Sequence, residues 1–267
     1  MIKDSTELNS AHKAFTPTVV RSTLPLARFH QRIDEKAQDR SAPPIVIVAL
    51  GDSVTHGLAG VDEFLHEETY HHQLKRLLQN RYPLSIFNVI NEGVDGQSAV
   101  DGITRFERSV AAYQPDLLLI AFSLNDAAGL GIAGLDMYAS HIETLLRRTR
   151  KETSADVILL TPNMMLTREN DSIPDCYRFL TQRFLRLQLD GVLAVFAQRL
   201  GEIGRRQGVP VADIYAAWQR LSERGDDVMD LLANGLNHPN RRGHALAAET
   251  IMQVIESSNI SERIESI

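Results

Sequence analysis

The stretch Val46-Ile47-Val48-Ala49-Leu50-Gly51-Asp52-Ser53-Val54-Thr55 decides how this chain is read. Its first half is a short, branched, apolar run of the kind a fully buried strand shows, and it stops at a Gly-Asp-Ser turn. A serine at such a junction is held by the scaffold yet open to solvent, which is the setting a nucleophile needs.

Outward from this stretch, strand and helix patterns alternate. Apolar runs predict strands over 45–50, 84–90, 117–122, 156–160 and 209–214. Helical spacing predicts helices over 68–81, 100–113, 137–151, 181–207 and 241–257. This order predicts an α/β fold: a parallel sheet of about five strands in a three-layer α/β/α sandwich. Residues 1–43, with Pro17 and Pro25 and weak periodicity, read as an N-terminal extension or arm ahead of a single domain over 44–267.

Composition narrows the partners. The net charge of -6 argues against non-specific nucleic-acid binding, which needs a basic surface. The single cysteine, Cys176, rules out an intrachain disulfide and an all-cysteine zinc site, and reads as a buried or inert thiol. No stretch reaches the length of a membrane span, and the polar start Met1-Ile2-Lys3-Asp4 lacks a signal-peptide core, so a cytoplasmic protein is the expectation. Oligomeric state is left open.

In an open parallel sheet, ligands bind beyond the carboxyl ends of the strands. Four segments at that edge carry chemistry: Gly51-Asp52-Ser53, then Asn91-Glu92-Gly93-Val94-Asp95-Gly96, then Ser123-Leu124-Asn125-Asp126, and finally Asn237-His238-Pro239. A hydroxyl, a flexible backbone amide, a carboxamide and an imidazole are the parts acyl transfer requires. Each also has a structural reading: Asp52 and Asn125 as turn residues, and His238 as a helix-entry residue ahead of proline. His244 reads as structural. His56, His66, His71 and His72 read as surface residues at the pocket approach. His66-Glu67 lacks the second histidine of a zinc-protease pattern, so no metal is expected. Nucleotide-binding glycine patterns are absent as well.

Taken in order, the four blocks resemble the SGNH (GDSL-type) hydrolases, esterases and lipases of flavodoxin-like fold. The resemblance implies Ser53 as nucleophile and His238 as general base. It implies an oxyanion hole made of the Ser53 amide, the Gly96 amide and the Asn125 carboxamide. No cofactor is implied. Two positions depart from the family pattern. Ser123 stands where the third block has glycine. Gly235 stands where the family has an aspartate, three residues before the histidine, and a one-residue shift would bring Asn234 there instead. Asp230 is the nearest upstream acid, with Asp226 and Asp227 beyond it. The expectation is a Ser–His dyad, or a ring oriented by a backbone carbonyl, in preference to a triad through Asp230.

The substrate expected from this reading is a short acyl ester, acetyl groups on sugars included. The segments 127–134 and 163–175 would border the pocket and are not apolar enough for a long-chain groove. The alternatives are a thioesterase, a lipid acylhydrolase, or a catalytically silent small-molecule or saccharide-binding protein on the same fold.

Overall fold

The computed structural model describes residues 25–265. Five strands form one parallel sheet: β1 (Ile45–Gly51), β2 (Phe87–Gly93), β3 (Leu117–Ala121), β4 (Asp156–Leu160) and β5 (Val211–Ala212), in the order β2-β1-β3-β4-β5. Chain order departs from spatial order at β1, which lies between β2 and β3. That reversal is the switch point at which an open α/β sheet forms its ligand crevice.

Strand β1 is apolar along almost its whole length because it is covered on both faces. Helices α1 (Ala27–Gln38), α3 (Tyr70–Arg81) and α11 (Arg241–Glu265) pack together on one side, and α4 (Ala99–Thr104), α7 (Leu135–Glu152) and α9 (Val192–Gln207) on the other. The expected three-layer sandwich is thus the observed one. Its register matters for function. Gly51 pairs with Gly93 on one side and with Ala121 on the other, so the first three strands end level and their loops open at one edge.

Several elements differ from expectation, each for a local reason. The helix expected over 100–113 is broken into α4, α5 (Phe106–Ser109) and a 3₁₀ turn, Ala111–Tyr113, because Arg105 turns inward and is buried. The helix expected over 181–207 is two helices, α8 (Thr181–Leu189) and α9, separated at Gly191, whose φ of 73° is left-handed. Strand β5 is only two residues long, and α10 (Ile214–Glu223), which periodicity did not suggest, follows it. Strand β2 starts three residues later than expected; Leu84 and Ile86 are exposed ahead of it. The segment over 127–134, expected as a loop, is instead the end of α6 (Leu124–Leu130) and a 3₁₀ turn.

Within the expected N-terminal arm, α1 packs on the domain. Phe29 and Ile33 are buried, Arg32 pairs with Asp116 at 3.0 Å, and the Phe29 N–H donates to Asp156 at 2.8 Å. Residues 1–24, with the expected polar start and Pro17, lie outside the described residues. Among the described residues no helix is long and apolar enough to cross a membrane. Cys176, expected to be buried or inert, is exposed.

Candidate active site

Ser53 opens α2 (Ser53–His56), a single turn that begins where β1 ends. Asp52 caps that turn: its carboxylate accepts the Val54 N–H at 2.9 Å. As the first helical residue, Ser53 carries one of the amides a helix start leaves without an intrahelical partner. Gly51 is needed because a Cβ there would meet the Thr55 hydroxyl at 2.0 Å. Burial raises the Asp52 carboxyl to about 7, opposed by the Val54 N–H.

Two glycines after β2 do different work. A Cβ on Gly93 would lie 2.0 Å from the His56 backbone nitrogen, so glycine there lets the strand end abut α2. Gly96 has open space around it but a φ of 72°, the left-handed region that favours glycine. The turn between them is tied to the serine loop, because the Val94 N–H donates to the Gly51 carbonyl at 3.1 Å. Asn125, in the first turn of α6, donates through Nδ2 to the Gln97 carbonyl at 2.9 Å and reaches Asp52 at 3.5 Å. The three loops expected to supply the oxyanion donors are therefore linked to one another. Ser123, at the family's glycine position, has an extended φ of -173° that any residue adopts, and its hydroxyl bonds Tyr138 at 2.9 Å.

The histidine comes from far along the chain. His238 lies between a 3₁₀ turn (Val228–Leu231) and α11, on a segment closed by the Leu232–Pro239 bridge and by the Ala233 N–H donating to the His238 carbonyl at 2.7 Å. Its Nε2 is 3.0 Å from Ser53 Oγ, across 185 residues of chain. Both residues are buried. Burial pushes the His238 imidazolium down to about 4, against the pull of Asp95, so the ring is neutral near pH 7.

The Nδ1 side of the ring departs from what was expected. Neither Asp230 nor a backbone carbonyl faces it; Asn234 does, with Nδ2 3.1 Å from Nδ1. Asp230 sits in the preceding 3₁₀ turn, where its carbonyl accepts from Asn240. Gly235 cannot take an acidic side chain. Its φ is 63°, and a Cβ would fall 2.3 Å from the Asn170 carboxamide oxygen. Asn163, also buried, braces the loop by donating to the Asn237 carbonyl at 3.0 Å.

The histidines near α2 are not all surface groups. His66 is exposed and His56 pairs with Asp95 at 2.9 Å, but His71 is fully buried and its Nε2 bonds the Thr55 carbonyl at 3.0 Å. It packs under α2 because Thr69, Tyr70 and Thr55 form a polar seam inside the domain. His244 is buried, as its structural reading requires. Its Nδ1 accepts the Tyr70 N–H at 3.1 Å. The buried positions of His71, Arg105 and Asn163 carried no signal in the sequence, since single polar residues inside amphipathic segments read as exposed. For Asn234 there was a signal: an Asn-Gly step is a turn in which the asparagine side chain caps its own backbone.

Comparison with known proteins agrees with this architecture. No curated protein matches the sequence. Among solved structures, a variant of Axe2, an acetyl-xylooligosaccharide esterase from Geobacillus, is 22% identical with a TM-score of 0.61, over 79% of this chain and 94% of that one. Axe2 itself, an acetylxylan esterase from Geobacillus stearothermophilus, is 21% identical with the same TM-score and coverage. Catalytic variants of Axe2 replace a serine, a histidine, and an aspartate three residues ahead of that histidine. A two-domain esterase (CEX) active on acetylated mannans is 20% identical with a TM-score of 0.65, over 88% of this chain and 54% of that one. The model of the GDSL-like lipase/acylhydrolase family matches residues 49–246, from the strand that carries the serine into the last helix, and the chain belongs to that family of carboxylic ester hydrolases.

Proposed function

We propose that the protein is a serine esterase that removes short acyl groups, acetyl esters of carbohydrates among them, through an acyl-enzyme on Ser53. The observation that carries this reading is the 3.0 Å approach of Ser53 Oγ and His238 Nε2 at the strand edge where the Gly96 and Asn125 loops meet. In the first half-reaction Ser53 Oγ bonds the ester carbonyl carbon, its proton passes to His238 Nε2, and the carbonyl π pair moves onto oxygen. That oxyanion is held by the amides of Ser53 and Gly96 and by Asn125, whose second N–H has only Asp52, at 3.5 Å, competing for it. Collapse breaks the bond to the leaving alcohol, which takes the proton from Nε2. Water then repeats the sequence and frees the acid. The acetyl-sugar preference is supported by the esterases of acetylated xylan and mannan that share the fold.

The test is a substrate panel: p-nitrophenyl esters from acetate to octanoate, and acetylated xylo- and manno-oligosaccharides scored by acetate release. Turnover should be highest on acetyl esters and fall with chain length. Hydrolysis retained by Ser53→Ala sinks the assignment. Saccharide binding without hydrolysis favours the silent-binder reading, for which the asparagine at position 234 is the supporting observation.

A further inference from the structure

We propose that Asn234 is a positioning residue that holds His238 in the tautomer protonated at Nε2, so that the enzyme rests with its imidazole donating to Ser53 rather than accepting from it. This rests on the reading of Ser53 and His238 as nucleophile and base.

The argument is one of donor and acceptor counting. The Asn234 side chain is buried, and its Oδ1 accepts three backbone N–H groups, those of Leu236 (3.0 Å), Asn237 (3.0 Å) and His238 (3.1 Å). Turning the amide over would point its NH₂ at three donors. The same NH₂ has an acceptor for each hydrogen where it stands: Asn237 Oδ1 at 3.2 Å and His238 Nδ1 at 3.1 Å. An amide NH₂ only donates, so Nδ1 presents its lone pair. A neutral imidazole has one N–H, which is then on Nε2, 3.0 Å from Ser53 Oγ.

A general base needs the opposite form. With the proton on Nδ1, that N–H and the Asn234 NH₂ would face each other donor to donor. Leaving such buried donors unpaired reduces the base-competent population about 10- to 100-fold. No other group among the described residues bonds the ring at Nδ1. Asp95 is the carboxylate whose charge acts on His238, but it bonds His56 at 2.9 Å, not the ring. When the imidazolium forms, it also lacks an anion behind it. In a Ser–His–Asp triad, aspartate-to-asparagine replacement keeps the geometry and still lowers turnover about 10⁴-fold, through the wrong tautomer. This chain carries the corresponding amide in its own sequence, one residue further from the histidine than the aspartate of Axe2.

Asn234→Asp is close to isosteric. One carboxylate oxygen keeps the three backbone N–H groups, and the other accepts from Nδ1–H. The experiment has two readouts on the full-length protein. The ¹⁵N shifts of His238 at pH 7 should show a protonated Nε2 and a bare Nδ1 in the wild type, and the reverse in Asn234→Asp. Turnover of p-nitrophenyl acetate should rise about 10²- to 10⁴-fold in Asn234→Asp, with its acid limb moved to higher pH, because the carboxylate stabilises the imidazolium. A wild-type spectrum with the proton on Nδ1 overturns the proposal. So does a folded Asn234→Asp that turns over no faster. Activity undiminished in Ser53→Ala is a different failure: it removes the catalytic reading, whereas the tautomer is read from the spectrum independently.

Discussion

The Arg105 guanidinium donates to the carbonyl of Gly51 at 2.9 Å, reaching from the break between two short helices to the residue two before Ser53. The same side chain donates to the Glu92 carbonyl at 2.9 Å and to Gln97 at 2.6 Å, and pairs with the Glu92 carboxylate at 3.4 Å. One buried cation therefore clamps the ends of β1 and β2 and the turn that bears Gly96. Burial lowers its pKa, and the Glu92 charge opposes that shift. Arg105→Ala removes a donor from the Gly51 and Glu92 carbonyls and from Gln97, and takes away the cation paired with the Glu92 carboxylate. It should cost about 3 kcal/mol in denaturant unfolding. A loss under about 0.5 kcal/mol, the range of an ordinary surface change, would show that the clamp contributes nothing.

The two glycines of the second block should separate in their effects. Gly93→Ala places a Cβ 2.0 Å from the His56 nitrogen, and the chain must shift at the serine turn itself. Gly96→Ala meets no atom but holds an L-residue at a φ of 72°, a strain of about 1–2 kcal/mol. Thermal melts should show the Gly93 variant far the weaker of the two. Equal melting temperatures would mean that close approach is not what requires glycine at 93.

Asn125→Ala removes the carboxamide donor while leaving α6 with a residue that favours helix. Turnover of p-nitrophenyl acetate should fall about 10²- to 10³-fold with little change in KM. A rise in KM alone, at unchanged kcat, would place Asn125 outside the oxyanion site.

Acid should act on this protein at two levels. His238 stays neutral down to about pH 4, so kcat/KM should hold from pH 7 to 5 and fall near 4, not near the 6.5 of a free imidazole. Stability should begin to fall earlier. His71 and His244, pushed down to about 3 by burial, and His238 take up protons in the unfolded chain below about 6.5 but resist them when folded. Falling pH therefore favours unfolding from about 6.5 toward 3. Asp52 and Asp126, raised by burial to about 7 and about 6, act the other way, since the folded chain protonates them first. Three histidines outweigh two acids, and the melting temperature should drop between pH 6.5 and 4. A melting temperature that rises over that interval would contradict the burial of these rings.

How far these relationships could be read in advance differs from element to element. The apolar runs at 45–50, 117–122 and 156–160 were legible because a strand covered on both faces has to be apolar at every position. Once those strands were in place, the serine, the Gly96 turn and Asn125 could be assigned to one edge, because loops after parallel strands all open there, while His238, ahead of the last helix, was joined to them by the family resemblance. Helix breaks at Arg105 and Gly191 were not legible: helical spacing persists through a kink when both halves pack on the same core.

Local sequence thus settled the layered sheet, since short-range patterning already specifies it, and the family resemblance pointed to Ser53, Gly96, Asn125 and His238 as the candidate groups. Tertiary structure alone decided what stands behind the histidine. Which of Asp230, a carbonyl or Asn234 meets Nδ1 depends on a left-handed Gly235 held against Asn170, and on three backbone N–H groups converging on one amide oxygen. Five hydrogen bonds to the Asn234 side chain, none of them periodic in sequence, orient that amide. Its orientation is what our proposal uses to put the proton on the Ser53 side of the ring.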